Sequence, residues 1–184
     1  MVSMKWFFGE KEALTDAHAI RREVFMREQN VSEAEEIDGT DGACIHLVVY
    51  DGEKPVSTGR VKITDDDDMD YIIGRVATLK SHRGQGLATG VMEALVEACV
   101  QMGGTRQILH SQTHARGFYE KLGFTVCGEE FMDAGIPHVL MEHFGGLKSC
   151  GGNHSGCGGC GQKQSRRSKA DFEDVSCPPV PEKF

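Results

Sequence analysis

The 184-residue sequence lacks a long apolar run, an N-terminal secretion signal and an excess of positive charge. No stretch approaches the roughly 18 apolar residues that a membrane-spanning helix needs, so we expect no membrane partner. The N-terminus carries neither the apolar core nor the cleavage site of a signal peptide, which predicts a cytoplasmic protein. A formal net charge of -8 argues against nucleic-acid binding, because phosphate backbones require clustered Lys and Arg.

The sequence contains seven cysteines, yet their positions do not indicate disulfide bonds. Cys44, Cys99 and Cys127 lie inside apolar runs, where a free thiol behaves as a small hydrophobic side chain. The other four lie near the C-terminus: Cys150, Cys157, Cys160 and Cys177. Without a secretion signal, we expect reduced thiols.

Apolar periodicity and turn residues predict one α/β domain over residues 1–144. Short apolar runs predict strands at 5–8, 44–50, 55–63, 71–79, 107–111, 124–127 and 139–144. Apolar spacings of three and four predict helices that end near 28, 102 and 122. Thr15 or Asp16 is expected to cap the first helix, residues 30–42 to form an acidic loop or broken helix, and Asp51-Gly52 to form a hairpin turn.

Four consecutive aspartates, residues 65–68, form the most acidic stretch of the chain. They lack the alternating ligands and the closing glutamate of a calcium loop. We therefore interpret them as a solvated hairpin tip.

From residue 145 onward the chain is rich in Gly and Cys and then becomes polar, which predicts a flexible, disordered tail over 145–184. Four soft metal ligands nevertheless occur there: Cys150, His154, Cys157 and Cys160. The spacing of the last two is typical of a chelating knuckle, although the usual second pair is absent. A metal clip stays open as the alternative to disorder.

The stretch His82-Arg83-Gly84-Gln85-Gly86-Leu87-Ala88-Thr89 joins a predicted strand to the long amphipathic helix. A helix start leaves unpaired backbone N–H groups at the positive end of the helix dipole, which favours an anion. Glycine has no side chain, so a phosphate can approach the backbone closely. Together with the local charge of Lys80, His82 and Arg83, this predicts a site for a phosphate-bearing ligand.

Two segments resemble the GNAT N-acetyltransferase superfamily. Arg83-x-x-Gly86-x-Ala88 is similar to the coenzyme A pyrophosphate loop of that family, and residues 117–124, GFYEKLGF, resemble its Phe-Tyr-x-Lys-x-Gly-Phe segment. Segments at 25–29, 36–38, 110–114 and 135–138 resemble the ElaA/YjcF-like branch. The resemblance covers about residues 4–144 and implies an α/β fold with a mixed, mainly antiparallel sheet flanked by helices.

The resemblance also implies acetyl-CoA as co-substrate, bound where two central strands separate. Backbone groups of Val76, Ala77 and Thr78 would contact the pantetheine arm and the acetyl carbonyl. The loop that would hold the pyrophosphate comprises Arg83, Gly84, Gln85, Gly86, Leu87, Ala88 and Thr89. Tyr119 matches the family position that protonates the departing thiolate, although a tyrosine near pKa ~10 is a weaker acid than a thiol near ~8.5. Gln112 stands where many members place an asparagine that contacts coenzyme A.

Attack on the acetyl group requires a neutral amine, so a base is expected. Histidine and carboxylate side chains around the cleft are the candidates: His110, His114, His138, Glu28, Glu130 and Asp38. Histidine titrates in the required range, which favours His110 or His138 without deciding between them. His110 and His114 do not share one helical face, so we expect no metal there.

The sequence thus predicts an N-acetyltransferase that moves acetyl from acetyl-CoA to a primary amine of a small molecule or peptide. Two alternatives stay open. One is a non-enzymatic acyl-CoA-binding or metal-handling protein that uses the Cys-rich tail. The other is acyl transfer of the homoserine-lactone-synthase type. A homodimer also stays open.

Overall fold

The computed structural model describes residues 1–9, 14–64 and 70–146. The strands are β1 Val2–Phe8, β2 Cys44–Asp51, β3 Lys54–Ile63, β4 Tyr71–Thr78, β5 Arg106–Gln112, β6 Thr125–Asp133 and β7 Ile136–Phe144. In this described part they form one sheet in the order β1-β2-β3-β4-β5-β7-β6. The β4–β5 pair is parallel and the other neighbouring pairs are antiparallel. The predicted mixed, mainly antiparallel sheet is confirmed.

The helices are α1 Leu14–Arg21, continued by a π-helical segment Arg22–Glu28, then α2 Glu33–Glu36, α3 Leu87–Gln101 and α4 Arg116–Lys121. The prediction that Thr15 or Asp16 caps the first helix is wrong, since α1 already includes Leu14. The Asp16 carboxylate instead accepts a hydrogen bond from the Tyr50 hydroxyl at 2.7 Å. In the segment 30–42, α2 begins with a capping box, in which Ser32 and Glu35 bind each other's backbone N–H groups.

The helices cover both faces of the sheet. On one face, the predicted apolar stripe of α3 is buried: Val91, Met92, Leu95, Val96 and Cys99. Gly59 of β3 permits this close packing, because a Cβ atom there would lie 2.6 Å from Leu95 Cδ1. On the other face, Ala17, Ile20 and Val24 pack with residues of β2 and β4. The core therefore fixes β4 between two helical layers.

The sheet opens between β4 and β5. These strands are in register only at Tyr71–Gln107 and Ile72–Ile108, and they separate beyond that point. Arg75 has a φ of +54° at a β-bulge, where the pairing of β3 with β4 shifts between Thr58 and Arg60. Beyond Ile72, the edge of β4 that faces β5 is therefore free of strand pairing.

Some predictions fall outside the described residues, namely the aspartate-rich tip and, from residue 147, the tail with its candidate metal ligands Cys150, His154, Cys157 and Cys160. Of the described cysteines, Cys44 and Cys99 are buried. Cys127 is exposed, because β6 is an edge strand. In the part of the chain that the structure describes, no helix is long and apolar enough to cross a membrane.

Candidate functional site

The gap between β4 and β5 leads into a cavity of about 570 Å³. Its walls come from β4 and β5, the π-helical segment, α2, α4 and the turn between β6 and β7. Six of the predicted site residues line it: Val76, Ala77, Thr78, Arg83, Ala88 and Tyr119. The other predicted residues, Gly84, Gln85, Gly86, Leu87 and Thr89, are not among the lining residues and flank Arg83 and Ala88 in the chain.

Two glycines shape the loop between β4 and α3. Gly84 and Gly86 have φ values of +77° and +79°, a conformation that favours glycine. No atom lies within 4 Å of a Cβ built on either, so backbone conformation and not tight packing requires them. The N–H of Gly90 donates to the Gly86 carbonyl at 3.0 Å as α3 begins. Residues 87–89 are thus left without helical carbonyl partners for their N–H groups, which favours an anion at this end.

Arg83 stands beside this helix start and is held by two hydrogen bonds. Its Nε donates to the Thr78 carbonyl at 3.0 Å, and a terminal nitrogen donates to Glu28 Oε2 at 2.8 Å. The ion pair with Glu28 is partly exposed, with 45% of the Arg83 side chain accessible. The guanidinium is therefore fixed to the end of β4 while its charge remains accessible to solvent.

The end of β4 is braced from the β3 side. Ala77 and Thr78 are in register with Thr58 and Ser57. The Ser57 hydroxyl donates to the Ala77 carbonyl at 2.9 Å and lies 2.7 Å from Thr78 Oγ1. The backbone of Ala77 and Thr78 is therefore held by β3 on one edge, while its other edge borders the cavity.

Tyr119 on α4 contributes an aromatic phenol to the cavity wall. Its ring centroid lies 5.0 Å from that of Phe118 and 6.2 Å from that of Phe124, both in edge-on arrangements. Burial raises the pKa of Tyr119 to about 12. The phenol therefore stays protonated throughout the physiological range, and it is a weaker acid than the free side chain.

Two imidazoles lie on the cavity face of the β5–β7–β6 arm. Both rings contact Phe131. The His110 ring lies edge-on to it at 5.1 Å between centroids, and the His138 ring stacks on it at 5.9 Å. His138 Nδ1 lies 2.8 Å from the Ile136 carbonyl. A carbonyl only accepts, so Nδ1 carries the proton and the neutral ring keeps its lone pair on Nε2. Burial lowers the pKa of His110, opposed by the nearby Asp133 carboxylate.

A buried ion network supports the wall formed by residues 21–41, and sequence reasoning missed it. Arg21, which is 1% exposed, donates to the carboxylates of Glu36 and, at 2.8 Å, of Asp41. Arg60 donates to the same Asp41 at 2.7 Å. Arg75 Nε lies 3.2 Å from the second oxygen of Glu36. These contacts bind the segment before β2 to β3 and to the bulge in β4.

The carboxylates of this network respond differently to their surroundings. Burial raises the pKa of Glu36, although Arg21 opposes the shift. Burial alone would also raise the pKa of Asp41, but its hydrogen bonds with Arg21 and His18 hold that pKa well below the ordinary range. The pKa of Asp38 is lowered in the same way, because its hydrogen bonds with Arg60 outweigh the effect of burial.

The end of the π-helical segment is bonded to both arms of the opened sheet. Besides the contact of Glu28 with Arg83, Gln29 Oε1 accepts a hydrogen bond from Gln112 Nε2 at 2.9 Å. Gln112 lines the cavity, with its amide nitrogen directed to Gln29. The segment therefore spans the opening between the β4 and β5 sides.

The structure brings together four of the six candidate bases. Glu28, His110, His114 and His138 line the cavity, whereas Glu130 and Asp38 are not among its lining residues. In the described part of the chain, no group of three or more His, Cys, Asp or Glu side chains is arranged to hold a metal ion.

Comparisons with known proteins match the geometry. A model of the "Acetyltransferase (GNAT) domain" matches residues 10–143. An uncharacterized N-acetyltransferase of Bacillus subtilis, YjcF, is 46% identical over 132 residues, covering 71% of this chain and 92% of that protein. The crystal structure of Escherichia coli ElaA has a TM-score of 0.70 at 27% identity, covering 77% of this chain and 99% of that one. An acyl-CoA N-acyltransferase from Pseudomonas aeruginosa also gives 0.70, at 26% identity and with 77% and 99% covered.

Proposed function

We propose that this protein acetylates a primary amine with acetyl-CoA. The chain belongs to the GNAT acetyltransferase family, with ElaA and YjcF as relatives, and is an acyl-CoA-dependent N-acyltransferase. The observation that carries the proposal is one cavity bordered by the open edge of β4, by Arg83 at the start of α3 and by Tyr119. A backbone edge, an anion site and a protonated phenol are the groups that a bound thioester of coenzyme A needs. The acceptor is a small molecule or a peptide amine.

The donor occupies the β4 side of the cavity. The N–H groups of residues 87–89 and the Arg83 guanidinium bind the pyrophosphate, while Gly84 and Gly86 allow its close approach. The backbone of Val76–Thr78 binds the pantetheine amides and orients the acetyl carbonyl. The braced position of this strand supports the assignment, since a fixed main chain loses little entropy when it positions a reactive group.

The reaction is an aminolysis of a thioester. The amine nitrogen attacks the acetyl carbonyl, an N–C bond forms, and the C–S bond breaks with its electron pair moving to sulfur. Tyr119 donates a hydrogen bond, and then a proton, to the departing thiolate, and the phenolate regains a proton that leaves the nitrogen. Because burial raises the pKa of Tyr119 to about 12, full transfer is favourable only when the thiolate is itself desolvated in the cavity.

Acetyl-CoA turnover with a panel of primary amines tests the proposal on the full-length chain. We expect amine-dependent release of free thiol, a higher kcat/KM with acetyl-CoA than with butyryl- or octanoyl-CoA, and full activity after removal of residues 145–184. A higher kcat/KM with the longer donors would show that the transferred group is a longer acyl chain and not acetyl. Binding of acyl-CoA without turnover by any amine would instead indicate a non-enzymatic binding protein.

The Tyr119→Phe variant tests the role of the phenol. Removal of the hydroxyl is expected to lower kcat about tenfold and to leave the KM for acetyl-CoA within about twofold, because the hydroxyl acts after the donor is bound. Phe118→Leu is the matched control for loss of aromatic packing, since Phe118 contacts the same ring. An unchanged kcat in Tyr119→Phe removes this residue from the mechanism.

A further inference from the structure

The transfer to an amine needs a group that takes up a proton. A primary alkylamine with pKa ~10.4 is almost entirely protonated at pH 7, and its ammonium form has no lone pair for attack. A suitable base needs a free lone pair, a place in the cavity wall and an orientation fixed by the protein. These three requirements distinguish the titratable groups around the cavity.

Two of the cavity-lining carboxylates, Glu28 and Glu36, are held in ion pairs. Glu28 is paired with Arg83 at 2.8 Å. Glu36 is paired on one oxygen with Arg21 and on the other with Arg75, so both of its oxygens face guanidinium groups. These carboxylates are neutralised by cations that lie on the same wall.

Two further carboxylates are poor bases for other reasons. Asp38 is not a lining residue, and its bonds with Arg60 keep its pKa low, which makes it a weak base. Glu130 is in register with Val139, whose side chain is buried in the core, so it lies on the opposite face of the sheet from His138.

Among the lining histidines, His138 is the one with a defined tautomer. Its side chain is 8% exposed, whereas His110 and His114 are exposed. The Ile136 carbonyl accepts the Nδ1 proton at 2.8 Å, and Phe131 stacks on the ring. The carbonyl thus acts as the orienting partner, and Nε2 of the neutral ring is the available lone pair.

We propose that His138 is the general base of this enzyme, with Nε2 as the atom that accepts the proton. The assignment rests on the proposed amine acetylation and names the group on which that reaction depends. Nε2 takes one proton from the bound ammonium, and the freed nitrogen attacks the acetyl carbonyl. After the C–S bond breaks, the nitrogen loses its second proton while sulfur gains one by way of Tyr119. The imidazolium then returns its proton to solvent.

Other titratable and charged groups line the same cavity as His138. They are His110, Asp133, Tyr119, His114, Glu28, Glu35, Glu36, Arg60, Arg75 and Arg83. Tyr119 stays protonated near neutral pH, because burial raises its pKa to about 12, and Glu28 is paired with Arg83. The separation of His138 from His110 is therefore the main task of the experiment.

The test measures kcat/KM against pH with acetyl-CoA, using the best primary alkylamine of the panel and, separately, hydroxylamine. Hydroxylamine is already neutral at pH 7 and needs no base. The variant is His138→Asn, whose amide N–H can replace the Nδ1 bond to Ile136 while Nε2 is lost. We expect a loss of about 100-fold or more with the alkylamine at pH 7 and less than about tenfold with hydroxylamine.

The pH profile supplies a readout that a purely structural role would not change. For wild type, kcat/KM should fall as acid protonates the histidine; for His138→Asn it should instead rise steadily with pH, following the neutral fraction of the amine. His110→Asn is the direct comparison. A profile that still falls in acid in His110→Asn but not in His138→Asn supports His138, and the reverse pattern overturns the assignment. Two results, each with an active wild type, overturn the assignment and leave the acetylation intact. In the first, His138→Asn loses equal activity with the two acceptors; in the second, it loses less than threefold with the alkylamine. A wild type that acetylates no amine overturns both.

Discussion

The proposed donor side of the cavity, residues 76–89, presents mainly backbone groups, whereas the proposed acceptor side, residues 21–41 with His110 and His138, presents side chains. On the donor side, two glycines and a helix start place N–H groups where an anion can bind. On the acceptor side, a guanidinium that is 1% exposed holds two carboxylates from a different part of the chain. The backbone site on the donor side depends on few side-chain contacts, whereas the buried ion network requires all of its charged partners.

This difference predicts that the proposed donor side tolerates more side-chain substitutions than the proposed acceptor side. A backbone site depends on conformation and tolerates changes in most side chains. A site held by long-range ion pairs changes whenever one member changes. We therefore expect substitutions on the donor side to alter acyl-CoA binding with little effect on the fold, and substitutions in the ion network to alter the fold itself.

The largest effect is expected from Arg21→Met. This change leaves Glu36 and Asp41 buried without their main cation and should lower the free energy of unfolding by about 3–5 kcal/mol, as measured in urea. The adjacent Arg22→Met is the matched control, because the Arg22–Glu33 pair is exposed, at 3.6 Å, and should change stability by less than about 1 kcal/mol. Equal losses in both variants would contradict the distinction between buried and exposed pairs.

The second-largest effect is expected from acid, which should lower the free energy of unfolding through the ion network on the acceptor side. The pKa of Asp41 is lowered in the folded protein, so its stabilisation is complete well above the unfolded value of ~3.9 and disappears as the pH falls through that value and below. The raised pKa of Glu36 acts in the opposite direction, since its protonation relieves a cost of burial. We expect a net loss of roughly 1–3 kcal/mol between about pH 5 and 3. In urea unfolding, Asp41→Asn should show a shallower dependence on pH than wild type, and an equal slope would exclude Asp41 as its source.

Gly86→Ala tests the donor side. The added Cβ meets no atom within 4 Å, but a φ of +79° costs a residue with a side chain about 1–2 kcal/mol. The same Cβ would stand where the pyrophosphate approaches, so we expect the Kd for coenzyme A, measured calorimetrically, to rise about tenfold. Gly90→Ala, one turn along α3, meets only the flexible end of Met4 at 3.3 Å and should bind normally. Equal affinity in both variants would argue against a phosphate at this loop.

The smallest effect is expected where the two sides meet, at Glu28. Its exposed pair with Arg83 contributes only about 0.2–1 kcal/mol, and Glu28→Gln frees the guanidinium for phosphate. The Kd for coenzyme A should therefore fall about two- to fivefold at low salt and by less at high salt. Weaker binding in this variant would instead make Glu28 a part of the donor site.

Much of the central fold was predictable because its signals are local. The predicted strands at 44–50, 55–63 and 71–79 correspond closely to β2, β3 and β4, and the Asp51-Gly52 turn joins the first two, with Gly52 at a φ of +62°. The extent of β6 was not predictable. It continues to Asp133 instead of ending near 127, since an exposed edge strand with a register shift between Val126 and Glu130 has no alternating apolar pattern.

On the acceptor side, the sequence contained one indication of the buried ion network that the sequence analysis did not use. Ala17, Ile20, Arg21 and Val24 share the helical spacing of a buried stripe, so an arginine stands among apolar positions. A charge in such a stripe requires a buried partner. The stripe does not identify the partner, because Glu36 and Asp41 lie 15 and 20 residues further along the chain.

The sequence by itself predicted the proposed donor half of this protein. Glycine spacing, a helix start and a strand end encode a backbone conformation within a few residues, and the Tyr119 segment identifies the same fold. The tertiary structure alone decided the acceptor half. Which carboxylates are neutralised and which histidines line the cavity depend on contacts between segments that are distant in the chain. Those contacts form only in the folded domain.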